Sequence, residues 1–284
     1  MITSPGQVIL AAPAKINLYL EILGRRSDGF HELETVFQTL VLADQVTVRV
    51  SDGSAGVRLW CSDPSLPQDH DNLAYRAAVL VAAAVPGLGR IEIELEKRIP
   101  HGAGLGGGSS DAAAVLRALA RLDARVRGLD LPALALALGS DVPFFLLGGT
   151  AHATGRGERL AALPDAQGGP LTVLMPPERL ATPRVFAALS DAERGPRAAR
   201  GPTPWASPLA WLSLLHNRLT SPAQRLCPAV GVQLGRLAAQ GVPHLLSGSG
   251  AACIAFARTD PAPGTSAFPT TFRARGNLDA LIAL

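Results

Sequence analysis

Lysine is almost missing from this chain. Of 26 basic residues in 284 positions, two are lysine, Lys15 and Lys97, leaving 24 arginines. A chain so biased carries arginine wherever any positive charge serves, so a retained lysine hints at a need for a compact ammonium. Charge is sparse in general: charged residues make up 17% and the formal net charge is +3, too little and too evenly spread for a nucleic-acid partner. The arginine-rich stretch 191–200 (DAERGPRAAR) reads as a solvated connection. Cysteine is scarce too. Cys61, Cys227 and Cys253 are far apart and form no CxxC or Cys/His cluster, which argues against a disulfide framework and predicts reduced thiols. Long apolar runs are absent, because the most apolar stretch, 129–147, is broken by Asp130, Pro132, Asp141 and Pro143. The N-terminal MITSPGQVILAAPAK lacks a positive region ahead of its short apolar segment, so it does not read as a secretory signal. These absences lead us to expect a soluble, cytoplasmic protein with no membrane partner.

Apolar residues are plentiful, at 48%, which excludes a disordered chain and allows one large or two ordinary domains. Strands are predicted at 8–11, 16–23, 33–42, 46–50 and 57–60, with the turn GRRSDG at 24–29. Residues 71–85 shift to helical period, with Asp71 or Asn72 able to cap the start and PGLG to stop it. IEIELE at 91–96 alternates cleanly, the pattern of an antiparallel sheet covered on one side. Helices are expected after the glycine-rich stretch at 111–122 and again near 131–138, then a loop at GSDVPFF. A second unit begins near Arg159, with strand LTVLMP, helices near 183–189, 208–219 and 230–241, and strand CIAFAR after LLSGSGAA. Pro261, Pro263 and Pro269 argue against a helix beyond it. Segregated strands and helices predict an α+β protein of two domains, 1–158 and 159–284.

The most informative stretch is HGAGLGGGSS, 101–110, leading into DAAAVL. Gly102, Gly104, Gly106, Gly107 and Gly108 let the backbone approach a ligand closely. Ser109, Ser110 and Asp111 then start a helix whose free amides and positive dipole end form an anion site. A flexible linker seldom runs straight into an Ala-rich helix. Gly102, Gly104 and Gly107 fit GxGxxG, but the strand before them is half exposed and KRIPH intervenes, unlike a dinucleotide fingerprint. No lysine follows the last glycine, so the loop is not a Walker A motif.

KRIPHGAGLGGGSS resembles the phosphate loop of the GHMP kinase superfamily. Further motifs resemble that superfamily in the same order along the chain: APAKINLYLEILGRRSDGFHELETVFQTL at 12–40, LGSDVPFFLLGGTAHATGRGE at 138–158, TPRVF at 182–186 and LLSGSGAACIAF at 245–256. The PAKINL core and the DG-aromatic-His step favour the branch that acts on 4-diphosphocytidyl-2-C-methylerythritol over homoserine or mevalonate kinases. The resemblance implies a ribosomal-S5-like N-terminal domain and a ferredoxin-like C-terminal domain. It implies ATP held by Pro100, Gly102, Ala103, Gly104, Leu105, Gly106, Gly107, Gly108, Ser109 and Ser110, with Mg²⁺ on the phosphates and Ser110 a candidate ligand.

By the same resemblance Asp141 accepts the proton of the acceptor hydroxyl and Lys15 favours the alkoxide. Read alone, Asp141 could cap a turn before Pro143, and Lys15 could be an exposed-face lysine in an apolar strand. Asn17 shares the strand face of Lys15 and is expected to position the hydroxyl. His31 is implied at the cytosine edge, Phe30 and Phe186 on its faces, and Thr182 near a substrate phosphate or amide. Phe30 stands where relatives commonly carry tyrosine, which keeps stacking and drops the hydroxyl. The SGSG loop at 247–250 is expected to pack on the phosphate loop. A non-catalytic member of the superfamily should have lost Lys15, Asp141 or the glycine loop, and this chain keeps all three.

Overall fold

The computed structural model describes residues 2–4, 6–194, 198–205, 207–209 and 211–280. Positions 195–197 of the arginine-rich stretch therefore lie outside the described residues. The first sheet is built from β1 (Ile2–Ser4), β2 (Gln7–Arg25), β3 (His31–Ser51), β4 (Gly56–Cys61), β5 (Arg90–Glu96), β6 (Thr150–Gly155) and β7 (Arg159–Ala162). The second unit supplies β8 (Leu171–Met175), β9 (His216–Asn217), β10 (His244–Leu246), β11 (Cys253–Ala255) and β12 (Ser266–Thr270). The first sheet runs β1-β2-β3-β5-β4, with β6 on β3, β7 on β6 and β9 on β2. The second is antiparallel in the order β10-β11-β8-β12. The architecture is α+β, as expected.

The separate strands read on either side of Pro13 and Leu42 fuse into two long ones, β2 and β3, which pair antiparallel along most of their length. Proline survives inside β2 because the register shifts between Pro13 and Lys15, so a bulge absorbs the missing donor. β5 alternates buried and half-buried residues, as its sequence predicts. The sheet is nevertheless mixed, since β4 pairs parallel with β5 and β9 parallel with β2.

Helix Leu73–Ala84 starts at Asn72, whose side chain accepts from Ala74 N at 2.9 Å. With helix Gly107–Leu122 it covers one face of the first sheet, burying Val46, Val48, Ile91, Ile93 and Leu95. Each fully buried side chain of this kind contributes about 1.5–3 kcal/mol. A second core joins β2 and β3 to β8, β11 and helices Thr220–Leu226 and Pro228–Ala239.

Three local readings are corrected. GSDVPFF is not a loop: Val142–Leu147 is helical, with Pro143 in the first turn, where no amide is needed. The helix expected over 208–219 is limited to Trp211–Leu214, because His216 and Asn217 pair with Tyr19 and Leu20 instead. The phosphate-loop helix starts at Gly107, two residues before the serines, since Gly106 takes the left-handed backbone that begins it. Beyond β11 no helix forms up to β12, which contains Pro269. Strand β7 lies in the first sheet past residue 158, paired with β6.

Candidate active site

Two of the three bulges of β2 lie beside the cavity. One follows Pro13 and the next separates Asn17 from Tyr19. Bulges bend a strand and re-aim its side chains, and here they bring Lys15 and Asn17 to a common opening. Lys15 N donates to Leu105 O at 2.9 Å, which ties this strand to the glycine loop. The Lys15 ammonium, nearly buried, donates to Asn17 Oδ1 at 2.8 Å. It also stands 3.6 Å from Asp141 Oδ2 and 5.2 Å from the centre of the Phe37 ring. Asp141 precedes helix Val142–Leu147 but makes no capping hydrogen bond with its side chain. The capping role open to it in the sequence is unused, and its carboxylate faces the lysine.

The glycine loop closes over this pair. Ser110 N donates the first helical bond, to Gly106 O at 2.9 Å, so the amides of Gly107, Gly108 and Ser109 precede the helical ladder. A side chain at Gly106 would meet Phe145 at 2.7 Å and Lys15 Cγ at 3.1 Å, and its φ of +73° also favours glycine. A Cβ on Gly104 would overlap the Ser247 carbonyl. The SGSG loop thus packs on the phosphate loop, and Ser247 Oγ donates to Gly104 O at 3.2 Å. Asn217 fixes the SGSG loop from behind, donating to Leu246 O and Gly248 O at 2.7 Å each. The next residue, Arg218, pairs with Glu21 at 2.7 and 2.8 Å.

A buried charge cluster lies at the base of the loop. Lys97 Nζ contacts Asp44 and reaches Asp111 at 2.6 Å, while Asp44 Oδ1 accepts from Arg98 N at 2.5 Å and Ile99 N at 2.8 Å. One ammonium thus bridges β3 and the helix after the glycines. Burial opposes the charge on Lys97, but Asp111 and Asp44 prevail and raise its pKa above the ordinary lysine value. Burial and the Asp44 charge push Asp111 up to about 7 against the pull of Lys97. Asp111 Oδ1 and Ser110 Oγ have no hydrogen-bond partner among the described residues.

At the far end of the opening His31 and Phe186 stack, ring centres 5.1 Å apart. Phe30 is half exposed, with the Arg156 guanidinium 4.6 Å above its ring. Burial, then the charges of Arg194 and Arg25, hold the His31 pKa below the ordinary imidazole value. Its Nε2 is buried with no hydrogen-bond partner among the described residues, available to a ligand's polar edge. Thr182 Oγ1 and Ser249 Oγ share a hydrogen bond of 2.8 Å. All these groups line one cavity of 1010 Å³, together with Pro100 and the whole stretch from Gly102 to Ser109. Among the expected site residues, Ser110 alone is off its wall, fully buried in the loop helix.

Residues 72–149 match the family described as GHMP kinases N terminal domain. A 4-diphosphocytidyl-2-C-methyl-D-erythritol kinase of Heliobacterium modesticaldum is 48% identical over 198 residues, 69% of this chain and 61% of that relative, less than two thirds of its length. The kinase of the same name from Mycolicibacterium gilvum is 42% identical over 261 residues, covering 87% of this chain and 81% of the relative. The chain belongs to the 4-diphosphocytidyl-2-C-methyl-D-erythritol kinase family. A crystal structure of 4-(cytidine 5'-diphospho)-2C-methyl-D-erythritol kinase superposes with a TM-score of 0.74 at 39% identity, over 93% of this chain and 99% of the other. The fold of this 4-diphosphocytidyl-2-C-methyl-D-erythritol kinase family member is that of the GHMP kinases.

Several residues of the kinase cavity were not read from its sequence. Arg25, Arg156 and Arg194 line the aromatic end, and the charges of Arg194 and Arg25 act on His31. In a chain with 24 arginines among 26 basic residues, no single arginine stands out. Thr35 and Phe37 lie among the alternating residues of β3 without a distinguishing neighbour. Lys97 carried a signal in the scarcity of lysine, but its two carboxylate partners are distant in sequence. Among the described residues no helix is long and apolar enough to cross a membrane.

Proposed function

We propose that the chain transfers the γ-phosphoryl group of ATP to the 2-hydroxyl of 4-diphosphocytidyl-2-C-methyl-D-erythritol, a step of non-mevalonate isoprenoid synthesis. The observation that carries this reading is the Lys15–Asp141 pair, between the glycine loop and the His31–Phe186 stack in one cavity. Phosphoryl transfer needs positioning and charge neutralisation more than covalent chemistry. In this reading the amides of Gly107, Gly108 and Ser109 receive nucleotide phosphates. Asp141 accepts the proton of the acceptor hydroxyl, Lys15 stabilises the developing alkoxide, and Asn17 holds the hydroxyl in place. His31, Phe30 and Phe186 take the cytosine, Thr182 and Ser249 lie at its side, and the arginines favour a diphosphate. Residues 1–158 supply the nucleotide side and the transfer pair, and residues 159–284 close the acceptor side with Thr182 and Phe186.

Magnesium is part of the proposal. Among the described residues no three His, Cys, Asp or Glu side chains gather as a metal cage. That fits an ion carried chiefly by nucleotide phosphates, with one or two oxygens from the protein. The unpartnered Ser110 Oγ and the Ser109 hydroxyl are the candidate loop ligands. When bound, Mg²⁺ neutralises charge on the transferring phosphates.

The test is release of ADP from ATP and Mg²⁺ with the cytidylyl acceptor, against homoserine and mevalonate controls. Release with the cytidylyl acceptor alone is the expected result. Release with a control instead would discard the base pocket while keeping the phosphate loop.

A further inference from the structure

The Asn17 amide has two faces, and only one arrangement satisfies its neighbours. Asn17 Oδ1 accepts from the Lys15 ammonium at 2.8 Å, and Asn17 Nδ2 donates to Thr35 Oγ1 at the same distance. Thr35 Oγ1 in turn donates to Tyr19 O at 2.6 Å, beside the second bulge of β2. A hydroxyl carries one hydrogen. With that hydrogen committed to the Tyr19 carbonyl, Thr35 can only accept from Asn17. The amide must therefore present its NH₂ to Thr35 and its oxygen to Lys15. Turned over, it would set its NH₂ against the ammonium, two donors, and its oxygen against the Thr35 oxygen, two acceptors. Thr35 is 1% exposed, so no bulk water replaces it.

We propose that Thr35 is a positioning residue for phosphoryl transfer: its hydroxyl fixes the Asn17 amide and so aims the Lys15 ammonium at Asp141. Lys15 has little else to direct it. Its ammonium lies 5.2 Å from the Phe37 ring centre, a contact with broad angular tolerance. A Cβ on Gly248 would come within 3.5 Å of both Asn17 Oδ1 and Lys15 Nζ, so the SGSG loop limits how far the ammonium can move, not where it points. The directional bond is the one from Lys15 to Asn17, and its geometry is set one residue further back.

The inference rests on the transfer reading above, and its test separates the two. Thr35→Val keeps the shape of the side chain and removes the hydroxyl. It should lower kcat about 10- to 100-fold with the KM for ATP unchanged, the scale of a misplaced reacting group. Thr35→Ser should restore most of the rate. In an Asn17→Ala background Thr35→Val should cost nothing further, whereas a purely structural role would cost the same in both backgrounds.

A second readout needs no substrate. With two lysines in the chain, protein labelled with ¹³C at lysine Cε gives two side-chain signals, assigned by loss of one in Lys15→Arg. Thr35→Val should displace the Lys15 signal and leave that of Lys97 in place, and Thr35→Ser should return it. If valine does not fold, Thr35→Ala takes its place. An unmoved Lys15 signal, or an equal loss of rate in the Asn17→Ala background, overturns the proposal. A wild-type protein that ignores the cytidylyl acceptor overturns the transfer reading, and the lysine spectrum then decides the role of Thr35 by itself.

Discussion

The Asp141 carboxylate stands 3.6 Å from the Lys15 ammonium, and both residues line the same cavity. Asp141 spends no hydrogen bond on capping the helix that follows it, and its side chain is about one third exposed, toward the cavity. Lys15 is 5% exposed and held by Asn17. In the function proposed above, the pair serves as a proton acceptor and its cation.

Replacing Asp141 with Asn should lower kcat by about 10²–10⁴, the usual range for a lost general base, while ATP binding by calorimetry stays near wild type. Lys15→Met should lose a similar amount. Lys15→Arg should not restore it, because a planar fork needs room that Gly106 and Gly248 already restrict. Near-normal turnover in Asp141→Asn would remove the base assignment.

Gly106 and Gly108 should respond differently to alanine. At Gly106 the left-handed backbone and the contacts to Phe145 and Lys15 combine. Strain and overpacking together should cost about 2–4 kcal/mol, with a large rise in the KM for ATP. At Gly108 the nearest atom to a new Cβ is Leu73 Cδ1 at 3.9 Å, so thermal unfolding of Gly108→Ala should match wild type. Equal unfolding temperatures for the two variants would count against this account of the loop.

His31 should set an acid limit on acceptor binding. Burial, then Arg194 and Arg25, hold its folded pKa below the ordinary value of about 6.5, so the ring is neutral near pH 7. The acceptor KM should stay flat from pH 8 down to that ordinary range and rise only below it. Stability follows the same sign. As pH falls through the ordinary histidine range the unfolded chain takes up the proton first, so stability declines until the lower folded pKa is passed. His31→Gln should flatten both acid limbs in KM–pH and urea-unfolding profiles, and an unchanged profile would exclude His31 as their source.

Asp111 should act in the opposite sense. Burial and the Asp44 charge push it up to about 7, so the folded chain keeps a proton that the unfolded chain has released. Stability from this group is therefore lost as pH rises from the ordinary carboxylate range toward 7. Asp111→Asn should melt a few degrees above wild type at pH 8, with the gap closing near pH 4. A lower melting temperature at pH 8 would mean that the bond to Lys97 outweighs the cost of the buried charge.

The glycine loop was legible in the sequence because its chemistry is local: the same few residues that free the backbone also start the helix. His31 and Phe30 were readable through the motif around them, as were Lys15 and Asp141. The helix Val142–Leu147 was missed because Asp141 and Pro143 also describe a turn, and only packing of Phe144 and Phe145 into the core separates the two. The helix over 208–219 was overread, since nothing local shows that His216 and Asn217 pair with β2.

The sequence by itself determined the α+β class and the glycine loop, and pointed to Lys15, Asp141, Phe30, His31 and Phe186, which line one cavity. Tertiary structure alone decided who meets whom. The β2 bulges, the Thr35 hydroxyl beneath Asn17, the Lys97 bridge between Asp44 and Asp111, and the arginines around His31 all depend on strand register and sheet pairing. Those are set by burial summed over many distant residues, which no short stretch of sequence contains.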